Sequence, residues 1–128
     1  MNLLLDTCAL IWLASEPAKL SATATAAIND PAAVLHVSHA TLWEITLKHG
    51  AGKLTLPDAP RKWWADQIAK WGIVELELTA EALLHGSELP PHHKDPLDRV
   101  ILAQAQTLSL GIVSSDGEFP TYGIPLVW

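Results

Sequence analysis

Apolar residues fall along the chain in short continuous runs, separated by longer stretches where they recur at helical spacing. Leu3-Leu4-Leu5 reads as a buried strand ending at Asp6-Thr7. A helix follows through Ala9-Leu10-Ile11-Trp12-Leu13 until Pro17 breaks it. Ser21 caps a second helix that ends near Asn29-Asp30-Pro31. Val34-Leu35-His36-Val37 is the next strand, after which Ser38 caps a helix from His39 to about His49 and Gly50 stops it. Residues 50–60 form a loop in which Leu54-Thr55-Leu56 reads as extended. A helix from Arg61 to Trp71 ends at Gly72, Ile73 to Leu78 forms a strand, and Thr79 caps a short helix from Ala80 to His85. Asp95-Pro96 opens the best-defined helix, which runs to about Ser109 and ends at Gly111. Ile112-Val113-Ser114 and Ile124 to Val127 supply the last strands.

Strands alternating with helices predict an α/β fold, a central parallel sheet flanked by helices on both faces. The continuously apolar strands fit a sheet buried on both sides. In such sheets ligands sit beyond the carboxyl ends of the strands. That rule singles out Asp6, which ends the first strand, and Asp116, which follows the strand at Ile112.

Length and composition narrow the class. With 128 residues the chain reads as one domain, 1–128, and 49% hydrophobic against 17% charged residues excludes disorder as its main state. A net charge of −6 argues against nucleic-acid binding through a broad basic face, though not against an enzyme that reaches phosphates through a metal ion. The single cysteine, Cys8, excludes an internal disulfide and a Cys-rich zinc site, and is read as a small buried hydrophobe. The apolar start lacks a basic region and is interrupted by Asp6, and the run Cys8 to Ala14 is too short for a bilayer. The expected location is cytoplasmic, without membrane contact.

Two further carboxylates stand out. Asp95 suits the N-cap and Pro96 the first position of its helix, while Asp98, Ile101, Ala105 and Leu108 share one face. Asp98 therefore opens the core-facing stripe and needs a cation or strong donors. Glu44 has two readings. It pairs with Lys48 at i,i+4 as a routine surface contact. Alternatively, apolar residues on both sides (Leu42 and Ile45; Trp43 and Leu47) bury that helix, and the strip Thr41, Glu44, Lys48 lines something polar. Carboxylates converging at one sheet end repel each other, and hard divalent cations with oxygen ligands, Mg²⁺ or Mn²⁺, resolve this.

Other signals are weaker. His92-His93 reads as an exposed loop with at most a modest role near a substrate, and a zinc site would need more ligands. In the helix from Arg61, Trp64, Ile68 and Trp71 form a core stripe. Trp63, about 100° away, is either a contact surface or a ring lying flat over its neighbours.

Leu4-Leu5-Asp6-Thr7, Trp43-Glu44-Ile45, Asp95-Pro96-Leu97-Asp98-Arg99 running into Ala103-Gln104-Ala105, and Val113-Ser114-Ser115-Asp116 resemble, in order and spacing, the four acidic motifs of PIN-domain ribonucleases. Gly52-Lys53-Leu54 and the closing Leu126-Val127-Trp128 are similar to VapC-type toxins of bacterial toxin–antitoxin pairs, whereas Gly117 stands where related toxins often carry a basic residue. The resemblance implies a metal-dependent endoribonuclease with Asp6, Glu44, Asp98 and Asp116 as catalytic acids. Asp6, Asp98 and Asp116 would ligate Mg²⁺ or Mn²⁺, supported by the hydroxyls of Thr7 and Ser115. It further implies an RNA substrate, a small antitoxin partner and a homodimer. For the antitoxin's contact surface the candidates are the first helix (Leu10, Trp12, Leu13) and Trp63. A receiver-type domain is rejected because no Lys follows Lys94, and a haloacid-dehalogenase-like phosphatase because Cys8 stands where it needs a second Asp. The competing reading is a metal- or RNA-binding or protein-interaction module that does not cut.

Overall fold

The computed structural model describes residues 1–128, with the side chains of Pro120 and Thr121 outside the described set. The chain runs β1 (Asn2–Leu5), α1 (Thr7–Ser15), α2 (Ala22–Asn29), β2 (Val34–Ser38), α3 (His39–Gly50) and α4 (Pro60–Trp71). It continues with β3 (Val74–Leu76), α5 (Ala80–Glu88), α6 (Pro96–Leu108), β4 (Gly111–Val113) and β5 (Leu126–Val127). The helix starts follow the capping chemistry of the sequence. Ser21, Ser38, Thr79 and Asp95 each accept a backbone N–H in the first turn that follows. Gly72 ends α4 in the left-handed region at φ 61°, where a residue without Cβ is favoured.

All pairings are parallel, in the order β3-β2-β1-β4-β5. Successive side chains of β1 enter opposite layers. Leu3 and Leu5 pack with Leu10, Leu13, Ala24, Trp63 and Trp64, while Leu4 packs with Ile101, Leu102, Phe119 and Ile124. Both layers are covered, as the run of leucines predicts. The chain leaves β1 toward β2 on one side and returns to β4 on the other, so β1 and β4 flank the point where strand order reverses. On one face α5 and α6 pack so closely that a Cβ on Gly86 would lie 3.3 Å from the Arg99 carbonyl oxygen and the Val100 Cα.

Several expectations are corrected. Trp63 is 4% exposed and belongs to the core beside Trp64, with the loop residues Leu54 and Leu56 packed on the same cluster. The apolar environment of α4 is therefore wider than one helical stripe, and Trp63 offers no contact surface. Leu10 and Leu13 are likewise core, and Trp12 is half-buried with its ring 5.7 Å from Trp128. Helix α3 is not buried on both sides, because Trp43 is 56% exposed and Leu47 is exposed with it. Trp43 lines an open apolar groove with Leu42, Pro60 and Leu78. Cys8 is exposed, not buried, because it faces outward from the first turn of α1. Residues 54–56 form no strand. The turn after α6 is made by Ser109 at φ 54°, while Gly111 is already the first residue of β4. A Cβ there would meet the Met1 side chain at 2.9 Å.

Candidate active site

The carboxyl ends of β1 and β4 carry the first two acids. The Asp6 N–H continues the ladder by donating to the Val113 carbonyl at 3.2 Å, and its Oδ1 accepts the Ala9 N–H at 2.7 Å, capping α1. Asp6 is buried, and desolvation raises its carboxyl above the usual range. Bonds from the Ser114 hydroxyl and the Ala9 N–H oppose the rise, and the charges of Asp116 and Glu44 add to it. Asp116 lies three residues past the end of β4, its N–H donating to Ser114 Oγ at 3.0 Å and its Oδ1 accepting the Glu118 N–H at 2.9 Å. The hydroxyl between these two acids is thus Ser114, fully buried, whereas Ser115 is exposed. Alternation along the strand end explains the difference: one serine points inward and its neighbour outward.

Asp98 enters from the first turn of α6, whose Asp95 cap accepts the Leu97 and Asp98 N–H groups at 2.9 and 3.4 Å. Burial is the first cause of a carboxyl pushed up to about 7, and the nearby charge of Asp95 adds to it. His93 opposes the shift, and Glu44 and Asp6 reinforce it. Asp98 and Asp116 do not face each other unassisted. His93 Nε2 lies 2.7 Å from Asp116 Oδ2 and 3.3 Å from Asp98 Oδ2. Its side chain is 11% exposed, so the exposed-loop reading of this histidine is corrected. Its proximity to Asp116, 23 residues on, leaves no periodic trace in the sequence. The available signal was its place just before the Asp95-Pro96 helix start.

Glu44 makes the i,i+4 pair with Lys48 that the sequence offers, and although α3 is not buried on both sides it also bonds inward to α1. Oε2 meets Lys48 Nζ at 2.6 Å, and Oε1 accepts from Thr7 Oγ1 at 2.9 Å. Thr7 Oγ1 is also 3.1 Å from the buried Thr41 Oγ1. A polar thread therefore joins α1 to α3 at the edge of the acidic cluster, and the bond to Glu44 raises the Lys48 pKa. Cys8, though exposed, stands beside this cluster: desolvation by its neighbours, with the charges of Asp6 and Glu44, raises its thiol pKa, so the thiolate is disfavoured.

Among the described residues, His93, Asp98 and Asp116 offer ligand atoms within 4.8 Å of one another. Asp6 and Glu44 stand outside that trio but close enough to perturb Asp98 electrostatically. A half-buried set dominated by mutually repelling carboxylates fits a hard divalent cation. No helix among the described residues is long and apolar enough to cross a membrane.

Residues 3–124 match the sequence pattern of the PIN domain. Solved structures share the architecture along nearly the whole chain. A chain of VapBC2 from Rickettsia felis, bound to a DNA fragment from its promoter, superposes with a TM-score of 0.68 at 14% identity, covering 98% of this chain and 97% of that one. FitAcB from Neisseria gonorrhoeae gives 0.60 at 18% identity, over 98% and 96% of the two chains. VapC20 of Mycobacterium tuberculosis, a sarcin-ricin loop cleaving toxin, gives 0.61 at 17% identity, over 95% of each. Such identities speak for the fold alone, and a search of curated proteins finds no match. With the family pattern spanning nearly the whole sequence and an all-parallel five-stranded sheet beneath it, the chain belongs to the PIN domain family.

Proposed function

We propose that this protein is a metal-dependent endoribonuclease, the toxin of a toxin–antitoxin pair. The observation that carries the reading is the approach of Asp98 and Asp116 from α6 and the end of β4, with Asp6 at the end of β1 near enough to interact with both electrostatically and Asp98 raised to about 7 by burial and neighbouring acids. So much negative charge gathered at one end of the sheet disfavours the empty protein and favours a site that takes a cation. Asp6, Asp98 and Asp116 would hold Mg²⁺ or Mn²⁺, with Glu44 as a further acid. Such an ion supplies charge neutralisation at a phosphodiester and a lowered pKa for water.

The chain's own groups do the rest. The Ser114 hydroxyl and the Ala9 N–H fix the Asp6 carboxylate. Thr7 holds Glu44 against α1 at 2.9 Å. Ser115, the hydroxyl expected at the site, is exposed, and Ser114 takes the place between the acids. Hydrolysis by activated water leaves a 5′-phosphate and a 3′-hydroxyl. The structural neighbours VapBC2 and FitAcB support an antitoxin as partner, and we take the toxin to act as a homodimer in the cytoplasm. The test is cleavage of a panel of structured RNAs with Mg²⁺, Mn²⁺ or chelator, with mapping of the product ends. We expect metal-dependent cuts with 5′-phosphate ends. Activity that survives chelation, or 2′,3′-cyclic phosphate ends, overturns the mechanism. Metal-dependent RNA binding without cutting would instead favour a non-catalytic module.

A further inference from the structure

We infer that His93 is a positioning residue of the acidic site, which donates its Nε2–H to Asp116, lies 3.3 Å from Asp98 and does not itself ligate the metal. The inference rests on the metal-site reading above and adds to it a residue outside the acidic motifs.

The hydrogen-bond network assigns the ring's tautomer. The Asp95 backbone N–H donates to His93 Nδ1 at 3.2 Å. An accepting Nδ1 carries no proton, so the neutral ring carries its proton on Nε2. That nitrogen faces Asp116 Oδ2 at 2.7 Å and Asp98 Oδ2 at 3.3 Å. As a ligand, Nε2 would have to shed the proton to Nδ1, where it would confront the Asp95 N–H, donor against donor. Leaving that N–H unpaired carries a cost that the donor role avoids.

The surroundings hold the ring in this orientation. The His93 N–H donates to Tyr122 Oη at 2.6 Å, and that hydroxyl donates to the Pro90 carbonyl at 2.8 Å. The Arg99 guanidinium donates to the carbonyls of His93 at 3.0 Å and of Gly86 and Pro90 at 3.1 Å each. The imidazole also packs against Phe119, centroids 5.5 Å apart. Asp95 completes the arrangement, because the residue that fixes Nδ1 also caps the helix bearing Asp98. The ring that holds Asp116 is thus registered to the turn whose carboxylate it faces at 3.3 Å. Partners that orient a ligating carboxylate commonly change metal affinity by about 10–100-fold when removed.

Mn²⁺ titrations of the full-length chain, followed by calorimetry and by the electron spin resonance of the ion, test this. In His93→Gln an amide N–H reaches the Nε2 position, whereas the shorter His93→Asn reaches only Nδ1. We expect His93→Gln to bind Mn²⁺ within about threefold of the parent, and His93→Asn and His93→Leu to bind about 10–100-fold more weakly. Electron spin echo spectra of the parent's bound Mn²⁺ should show no directly bonded imidazole nitrogen. Nitrogen NMR of the metal-free parent, which requires no variant, should show His93 protonated on Nε2. A bonded imidazole nitrogen, an Nδ1-protonated ring, equal weakening in His93→Gln, or undiminished binding in His93→Leu overturns the positioning role alone. A parent chain that takes up no Mn²⁺ overturns the metal-site reading and this inference with it.

Discussion

Replacing Asp98 with Asn should make the metal-free protein more stable, and only at the upper end of the pH range. The Asp98 carboxyl sits at about 7 in the folded chain against 3.8 ordinarily. Between those values the folded state holds a proton that the unfolded state has released. The stability this group contributes is therefore complete below pH 3.8 and is lost as pH rises through about 7. A difference of that size corresponds at its limit to about 4 kcal/mol. The side chain is 21% exposed, and solvent screening reduces the expected effect to about 1–2 kcal/mol. Asn keeps the shape of the protonated acid and never ionises. Asp98→Asn should match the parent near pH 4.5 and exceed it by about 1–2 kcal/mol at pH 8, which moves a urea midpoint by roughly 0.5–1 M. The assay is urea unfolding with chelator present, followed by tryptophan fluorescence. Added Mg²⁺ should stabilise the parent at pH 8 and leave Asp98→Asn unchanged. A variant that loses the same stability at both pH values would refute the reasoning. It would mean that the ionised carboxylate is held by favourable bonds, not opposed by burial and its acidic neighbours.

Other outcomes are expected. Asp6→Asn and Asp116→Asn should lose most RNA cleavage while circular dichroism stays native, since Asn at position 6 still caps α1. Asp95→Asn should keep its cleavage activity and change stability by less than about 0.5 kcal/mol, because Asn caps as well as Asp. Full inactivation by Asp95→Asn with an active Asp98→Asn would reverse the assignment between these two acids. Gly86→Ala should destabilise by about 1–3 kcal/mol in urea unfolding, because its Cβ meets Arg99 and Val100 backbone that cannot turn away.

The sequence by itself determined the order of elements, the helix caps and the parallel sheet. These depend on local chemistry. Asp95, Ser38 and Thr79 cap whatever helix follows them, and the apolar runs at Leu3–Leu5 and Ile112–Val113 are buried in any sheet that covers both faces. The acids were legible for a related reason. Asp6 and Asp116 follow strands whose neighbours in the sheet bring their ends together, and Asp98 opens a helix face that continues into buried Ile101 and Ala105, although Leu108, expected to extend that stripe, is exposed. What remained illegible depends on contacts between segments distant in the chain. Trp63 joins the core because α4 and the returning loop enclose it, which helical periodicity cannot show. Trp43 and Leu47 stay exposed because no described residue covers that side of α3. Ser114 rather than Ser115 meets the acids because strand alternation is set by register against β1. His93 reaches Asp116 only because Arg99 and Tyr122, on segments that follow it, bind its loop by backbone groups that no residue pattern encodes.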